Sequence, residues 1–152
     1  MKIYIAADHR GFELKNKLIS WLKPRGYEVV DGGNTVYDPE DDYPDYISEL
    51  AKRPLSTEAV AKGALGIVIC GSGVGVSIAA NRFKGVYCAL GFNVEQVKHA
   101  RENDHINVLA LPADYLDFEK AKEFVKTFLM TKPIMKEKYL RRIRKIDLIS
   151  NY

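Results

Sequence analysis

The sequence predicts an α/β protein, a three-layer, Rossmann-like arrangement in which a five-stranded parallel sheet carries helices on both faces. Three observations predict it. Short, almost wholly apolar runs alternate with longer stretches of helical periodicity, and strands without polar alternation belong to a parallel sheet covered on both sides. The 152 residues suffice for one domain with a real core. No repeat, low-complexity stretch or linker divides the chain, so residues 1–152 read as a single domain.

The elements follow in order. "KIYIAA" (Lys2–Ala7) is a first strand, and after "DHRG" comes a helix with Leu14, Leu18 and Leu22 on one face, ending near Pro24-Arg25-Gly26. "YEVVD" is a second strand and "GGNTVYDPEDDYPDY" a polar, turn-rich loop. A helix from about Asp45 to Arg53 follows, stopped by Pro54. "LGIVIC" is the third strand, and the segment beyond its glycines is helical to about Asn81. "VYCALG", the helix "VEQVKHAREN" and the strand "INVLALP" come next. Two helices close the chain, Phe118–Met130 and a basic one over Lys136–Ile149, separated by "TKP".

Composition excludes several classes. The formal charge of +3 is too small to argue for nucleic acid. The longest apolar runs, such as Ala64 to Cys70, are too short to span a bilayer. "MKIYIAADH" enters a strand pattern at once, so no signal peptide is expected and the cytoplasm is the expected compartment. Cys70 and Cys88 have neither disulfide-framework nor zinc spacing, which suits reduced thiols there.

Ligands of parallel sheets bind beyond the carboxyl ends of the strands, so the candidate site is "DHRG", the "DDYP" loop, "CGSGVG", "GFN" and "PAD". Gly71, Gly73 and Gly75 alternate, unlike the dinucleotide G-x-G-x-x-G, and neither a ribose-binding acid nor a Walker pattern accompanies them. Two readings stay open: N–H groups gathered for an anion or oxyanion, or a close strand-to-helix turn. Cys70 is either a small buried hydrophobe or, beside a helix start, a nucleophile or general base, because the dipole there favours a thiolate. Cys88 lies within an apolar strand and reads as core. Asp8 and His9 end the first strand as a functional pair, or Asp8 caps the following helix. Tyr43 before a proline is a weak signal, and His99 and His105 read as surface residues. Lys138, Arg141, Arg142 and Lys145 share neighbouring sides of the last helix, a solvated face or a phosphate clamp.

"DHRGFELK", "DDYPDY", "CGSGVGVSIAANR" and "RRIRKID" resemble, in order and spacing, the ribose-5-phosphate isomerase B family, which also contains the galactose-6-phosphate isomerase subunits. The resemblance covers nearly the whole chain. It implies a sugar-phosphate aldose–ketose isomerase that interconverts ribose 5-phosphate and ribulose 5-phosphate, or a related sugar or sugar phosphate, through an enediolate. No metal and no cofactor are implied. Cys70 matches the family's base, the Gly71–Gly75 N–H groups with the Ser72 hydroxyl its oxyanion hole, and Asp8, His9, Tyr43 and Asn81 its sugar pocket. Homodimers or tetramers are implied, with sites at the subunit interface.

This chain departs from the family pattern where phosphate and ring opening are handled. Asn103 stands where the family's ring-opening histidine is usual, which carries the catalytic position to Asn103 and leaves His9, His99 and His105 as substitutes. Asp114 occupies the place of a phosphate-binding arginine, and such a carboxylate would repel a dianion. Lys138 and Tyr139 replace an arginine and a histidine, while Arg142 is kept; Lys138 and Arg142 are the expected phosphate contacts. A family member acting as a partner subunit or binding module is the alternative; a nucleotide-binding protein of similar topology fits the glycine spacing poorly.

Overall fold

A computed structural model of the chain describes residues 1–52 and 63–149. The elements are β1 (Lys2–Ala7), α1 (Phe12–Leu22), β2 (Glu28–Asp31), α2 (Tyr43–Lys52), β3 (Leu65–Cys70), α3 (Val74–Ala80), β4 (Cys88–Leu90), α4 (Val94–Asn103), β5 (Val108–Pro112), α5 (Phe118–Met130) and α6 (Glu137–Ile149). Helix α2 begins at Tyr43 rather than Asp45, because Pro44 is tolerated in a first turn, where its missing N–H is not needed. Its expected end at Arg53 and Pro54 lies outside the described residues. Strand β4 is shorter than "VYCALG" suggests: the Asn107 side chain takes the Tyr87 N–H at 2.9 Å, before the ladder with β5 begins at Cys88.

The sheet is five-stranded, in the order β2-β1-β3-β5-β4, and every pairing is parallel. Alternation along the strands divides the core in two. Ile3, Ile5, Ile67, Ile69, Leu109 and Leu111 face α1, α4 and α5, which contribute Leu14, Leu18, Val97, Phe124 and Phe128 among others. Ala6, Val68, Cys70, Val108 and Ala110 face α2 and α3, meeting Ile47, Leu50, Val76 and Ala80. Both faces are therefore covered, which is why the strands read as unbroken apolar runs.

Two helix starts are fixed by polar side-chain caps. Asn93 accepts the Gln96 N–H at 2.8 Å to begin α4, and Asp117 accepts the Lys120 N–H at 2.8 Å to begin α5. Helix α4 then runs back along the sheet for about 15 Å, so Asn103 ends at the amino edge of the strands. The last helix stays at that edge: the Ile134 N–H donates to the Glu102 carbonyl at 2.8 Å, and the Tyr87 hydroxyl donates to Asp147 of α6. No residue of α6 is buried.

Candidate active site

The register that pairs Ala7 with Ile69 sets the next residues, Asp8 and Cys70, side by side at the carboxyl ends of β1 and β3. Cys70 is 4 % exposed and sits opposite Pro112 of β5. The chain turns immediately beyond it. The Gly73 N–H points at Cys70 Sγ at 3.1 Å, and the Val74 N–H donates to Ser72 Oγ at 3.2 Å. Gly73 has φ +72°, and a β-carbon there would stand 2.4 Å from Leu90 Cδ1; only glycine satisfies both limits. The close strand-to-helix turn is thus present, and it leaves the Gly73 N–H facing the thiol.

Tyr43, at the start of α2, lies against the same loop: a β-carbon on Gly75 would meet its ring at 2.6 Å. Asp8 is buried, and its Oδ1 accepts the N–H groups of Arg10 and Gly11, each at 3.0 Å. Burial pushes this carboxyl above its usual range, and the bonds from Gly11 and Arg10 oppose the rise. His9 follows, and its Nδ1 lies 2.7 Å from Asp41 Oδ1, which also accepts the His9 N–H at 3.1 Å. The bond to Asp41 holds the imidazole above its ordinary value. Burial pushes Asp41 up, but the bonds from His9 and from Asn34 Nδ2 outweigh it and leave the carboxylate below its usual range. Asp41 accepting at Nδ1 fixes the neutral tautomer with its Nε2 lone pair outward.

Asp114 does not stand as a bare charge. Arg10 Nε lies 3.0 Å from Asp114 Oδ2 and 3.3 Å from its Oδ1, with Nη2 2.7 Å from Oδ2. The carboxylate expected to repel a dianion is therefore paired with a cation: the ends of β1 and β5 bring the two together over Gly71, whose added β-carbon would be 2.6 Å from each.

Other expected residues are placed elsewhere. Asn81, at the far end of α3 from Cys70, clasps β4: its Nδ2 donates to the Ser77 and Cys88 carbonyls, and its Oδ1 accepts the Cys88 N–H at 2.8 Å. Both polar atoms of its amide are thus engaged by backbone, at the end of the helix away from the thiol. Asn103 bonds His99 across one turn of α4 at 2.7 Å, and His105 Nε2 meets the Ile134 carbonyl at 3.1 Å. Asn103, Lys138 and Arg142 all belong to the amino edge, the opposite end of the sheet from Cys70, so one chain does not bring them to its own thiol. The Cys88 thiol is pushed up to about 12 by burial, as its core position requires. Sequence reasoning did not single out Arg10, Asn34 or Asp41; Arg10 and Asp41 stood inside the quoted motifs "DHRG" and "DDYP", and Asn34 in a loop with no local signal. Among the described residues no group of three or more His, Cys, Asp or Glu could hold a metal ion, and no helix is long and apolar enough to cross a membrane.

Fold and crevice together define a small parallel α/β protein whose acid–base side chains gather at the carboxyl edge of the sheet. Residues 3–146 match the model of the Ribose/Galactose Isomerase family, and the chain belongs to that family. A ribose-5-phosphate isomerase B of Mycobacterium tuberculosis is 37 % identical over 152 residues, covering 100 % of this chain and 90 % of the relative. A probable ribose-5-phosphate isomerase B of Mycoplasma pneumoniae is 43 % identical over 127 residues, covering 84 % of this chain and 81 % of the relative. Among solved structures, the ribose-5-phosphate isomerase B of Clostridium thermocellum superposes with a TM-score of 0.90 at 36 % identity, over 99 % of this chain and 98 % of the other. That of Mycoplasma genitalium with bound ribulose-5-phosphate gives 0.86 at 37 %, over 99 % and 96 %.

Proposed function

We propose that this chain is a cytoplasmic aldose–ketose isomerase that interconverts ribose 5-phosphate and ribulose 5-phosphate, with Cys70 as the base and without metal or cofactor. The observation that carries the reading is the Gly73 N–H aimed at Cys70 Sγ at 3.1 Å, at the end of a strand in a chain of this family. A thiolate takes the proton from C2 of the open-chain aldose. The C2–H electron pair becomes the C1–C2 double bond of the enediolate, and the carbonyl pair moves onto O1. Backbone N–H groups of the Gly71–Gly75 turn and the Ser72 hydroxyl meet that oxygen, the group whose charge develops in the transition state. The thiol then returns the proton to C1 while the O2 proton passes to O1, giving the ketose and restoring the thiolate.

His9 opens the ring. With Asp41 on Nδ1, its Nε2 takes the O1 proton and the protonated ring serves the leaving ring oxygen, the role for which Asn103 lacks an ionisable group. Asp8 and Tyr43 line the sugar. Lys138 and Arg142, at the opposite edge of the sheet, reach a thiol only in a second copy, so the working unit is a homo-oligomer with shared sites. The exposure of Ile78 on α3 and of Ile146 and Ile149 on α6, at 57 %, 49 % and 67 %, fits faces that a second copy covers.

The test follows the proton. Ribose 5-phosphate incubated with the chain in deuterium oxide is expected to exchange hydrogen at C2 as ribulose 5-phosphate forms, and Cys70→Ala is expected to lose both. A folded Cys70→Ala that still exchanges removes the thiol from the mechanism. No turnover by the chain alone, with turnover restored by a related subunit, favours the partner-subunit reading.

A further inference from the structure

We infer that Arg10, held in place by Asp114, is a specificity-determining cation of the site, the one that the thiol's own chain offers to the anionic end of the substrate. The inference rests on the isomerase reading for the identity of that substrate, though not for the anion itself. Arg10 follows the Asp8–His9 pair directly, and its side chain crosses from β1 to β5 over the turn that carries Cys70. A β-carbon on Gly71 would stand 2.6 Å from Arg10 Nε and 2.8 Å from its Cδ. The guanidinium therefore lies on the backbone of the residue next to the thiol. An open-chain pentose with C1 and C2 at Cys70 carries its phosphate at the far end, so its cation belongs beside the turn rather than on the base.

Asp114 fixes where that cation points. Its N–H donates to the Gly71 carbonyl at 3.0 Å, which anchors the acid to the same turn. Its carboxylate takes the Nε and Nη2 edge of Arg10. Of the five N–H donors of a guanidinium, that edge uses two and leaves three, on a side chain 58 % exposed. The remaining edge keeps the planar fork that matches phosphate oxygens. Asp114 is thus a positioning residue, and the acid that reads as hostile to a dianion instead orients the group that binds one. On its other side Arg10 borders a recess of about 240 Å³ shared with Lys17, Leu116 and Asp117, which offers an anion a competing place.

The experiment compares the full-length chain with Arg10→Ala, Arg10→Lys, Lys17→Ala and the double variant Arg10→Ala/Asp114→Asn. It measures ribose 5-phosphate kinetics and the binding of inorganic phosphate by titration calorimetry. Arg10→Ala is expected to raise KM and weaken phosphate binding by about tenfold or more, with kcat within about threefold and partial recovery in Arg10→Lys. Lys17→Ala is expected to leave both constants unchanged. Unchanged KM and phosphate binding in Arg10→Ala overturn the inference, as does a wild-type chain that binds no phosphate. An equal loss in Lys17→Ala places the anion in the recess and overturns it too. Wild-type KM in the double variant also overturns it, because Arg10 would then only mask Asp114. A wild-type chain that binds phosphate through Arg10 yet isomerises no ribose 5-phosphate supports the cation and sinks the isomerase reading instead.

Discussion

His9 Nδ1 and Asp41 Oδ1 lie 2.7 Å apart across 32 positions of sequence, and the same carboxylate oxygen takes the His9 N–H. One acid thus fixes both the backbone and the ring of the histidine nearest the buried thiol.

The pair has a definite pH signature. His9 is held above its ordinary value, chiefly by its bond to Asp41, so its contribution to folding is full below about 6.5 and fades as pH rises through the raised value. Asp41 is held below its usual range, so its contribution is present above about 3.9 and fades as pH falls through the lowered value. The pair is strongest between those limits. Asp41→Asn is expected to bring the His9 titration, followed by its ring-proton NMR signal, down toward the ordinary imidazole value. The acid limb of kcat/KM moves down with it, and the plateau falls by about tenfold to a hundredfold. An unmoved His9 titration would separate the carboxylate from the ring.

Behind that pair stands a buried cation. Lys15 is fully buried and its Nζ lies 2.7 Å from both Asp31 oxygens and from the Asn34 carbonyl, while Asn34 Nδ2 reaches Asp41 at 3.1 Å. The lysine therefore ties α1 to the loop that carries His9's partner. Lys15→Met keeps the volume and strands Asp31, whose side chain is 30 % exposed and partly hydrated. The expected loss is about 2–3 kcal/mol, below the cost of a wholly buried broken pair, read as a lowered denaturant midpoint with unchanged slope. A midpoint equal to wild type would show that solvent replaces the ammonium without cost.

Much of the fold was legible because each strand is buried on two faces. β1 and β3 appear in the sequence with their observed ends, as do α4 and α5, since apolar runs and heptad-like spacing need no partner to be read. Cys70 was legible for the same reason: a thiol closing an apolar run before three glycines is unusual wherever the sheet order falls. The ion pairs were not. Arg10 and Asp114 are 104 positions apart, and they meet only because β5 lies beside β3 in the order β2-β1-β3-β5-β4. Asp41 shares its loop with Asp38, Glu40 and Asp42, and nothing local marks which acid faces a histidine. Nothing in the sequence singles out Lys15, although α1 buries it beside Leu14 and Leu18. Long-range pairing of like-looking charges is set by topology, which periodicity does not encode.

Topology also carries the last prediction. Cys70 lies at the carboxyl edge and Arg142 on a helix tied to the amino edge, so in the proposed oligomer each site takes its thiol from one chain and its α6 cations from another. Cys70→Ala and Arg142→Ala are each expected to lose most activity alone. Mixed after mild denaturation and refolding, half the dimers contain one chain of each kind, with both changes in one site and the other intact. Activity is then expected to recover to about a quarter of wild type, with sedimentation confirming the dimer. No recovery from mixed dimers would place Arg142 in its own chain's site or outside any site, and would require α6 to leave the amino edge when substrate binds.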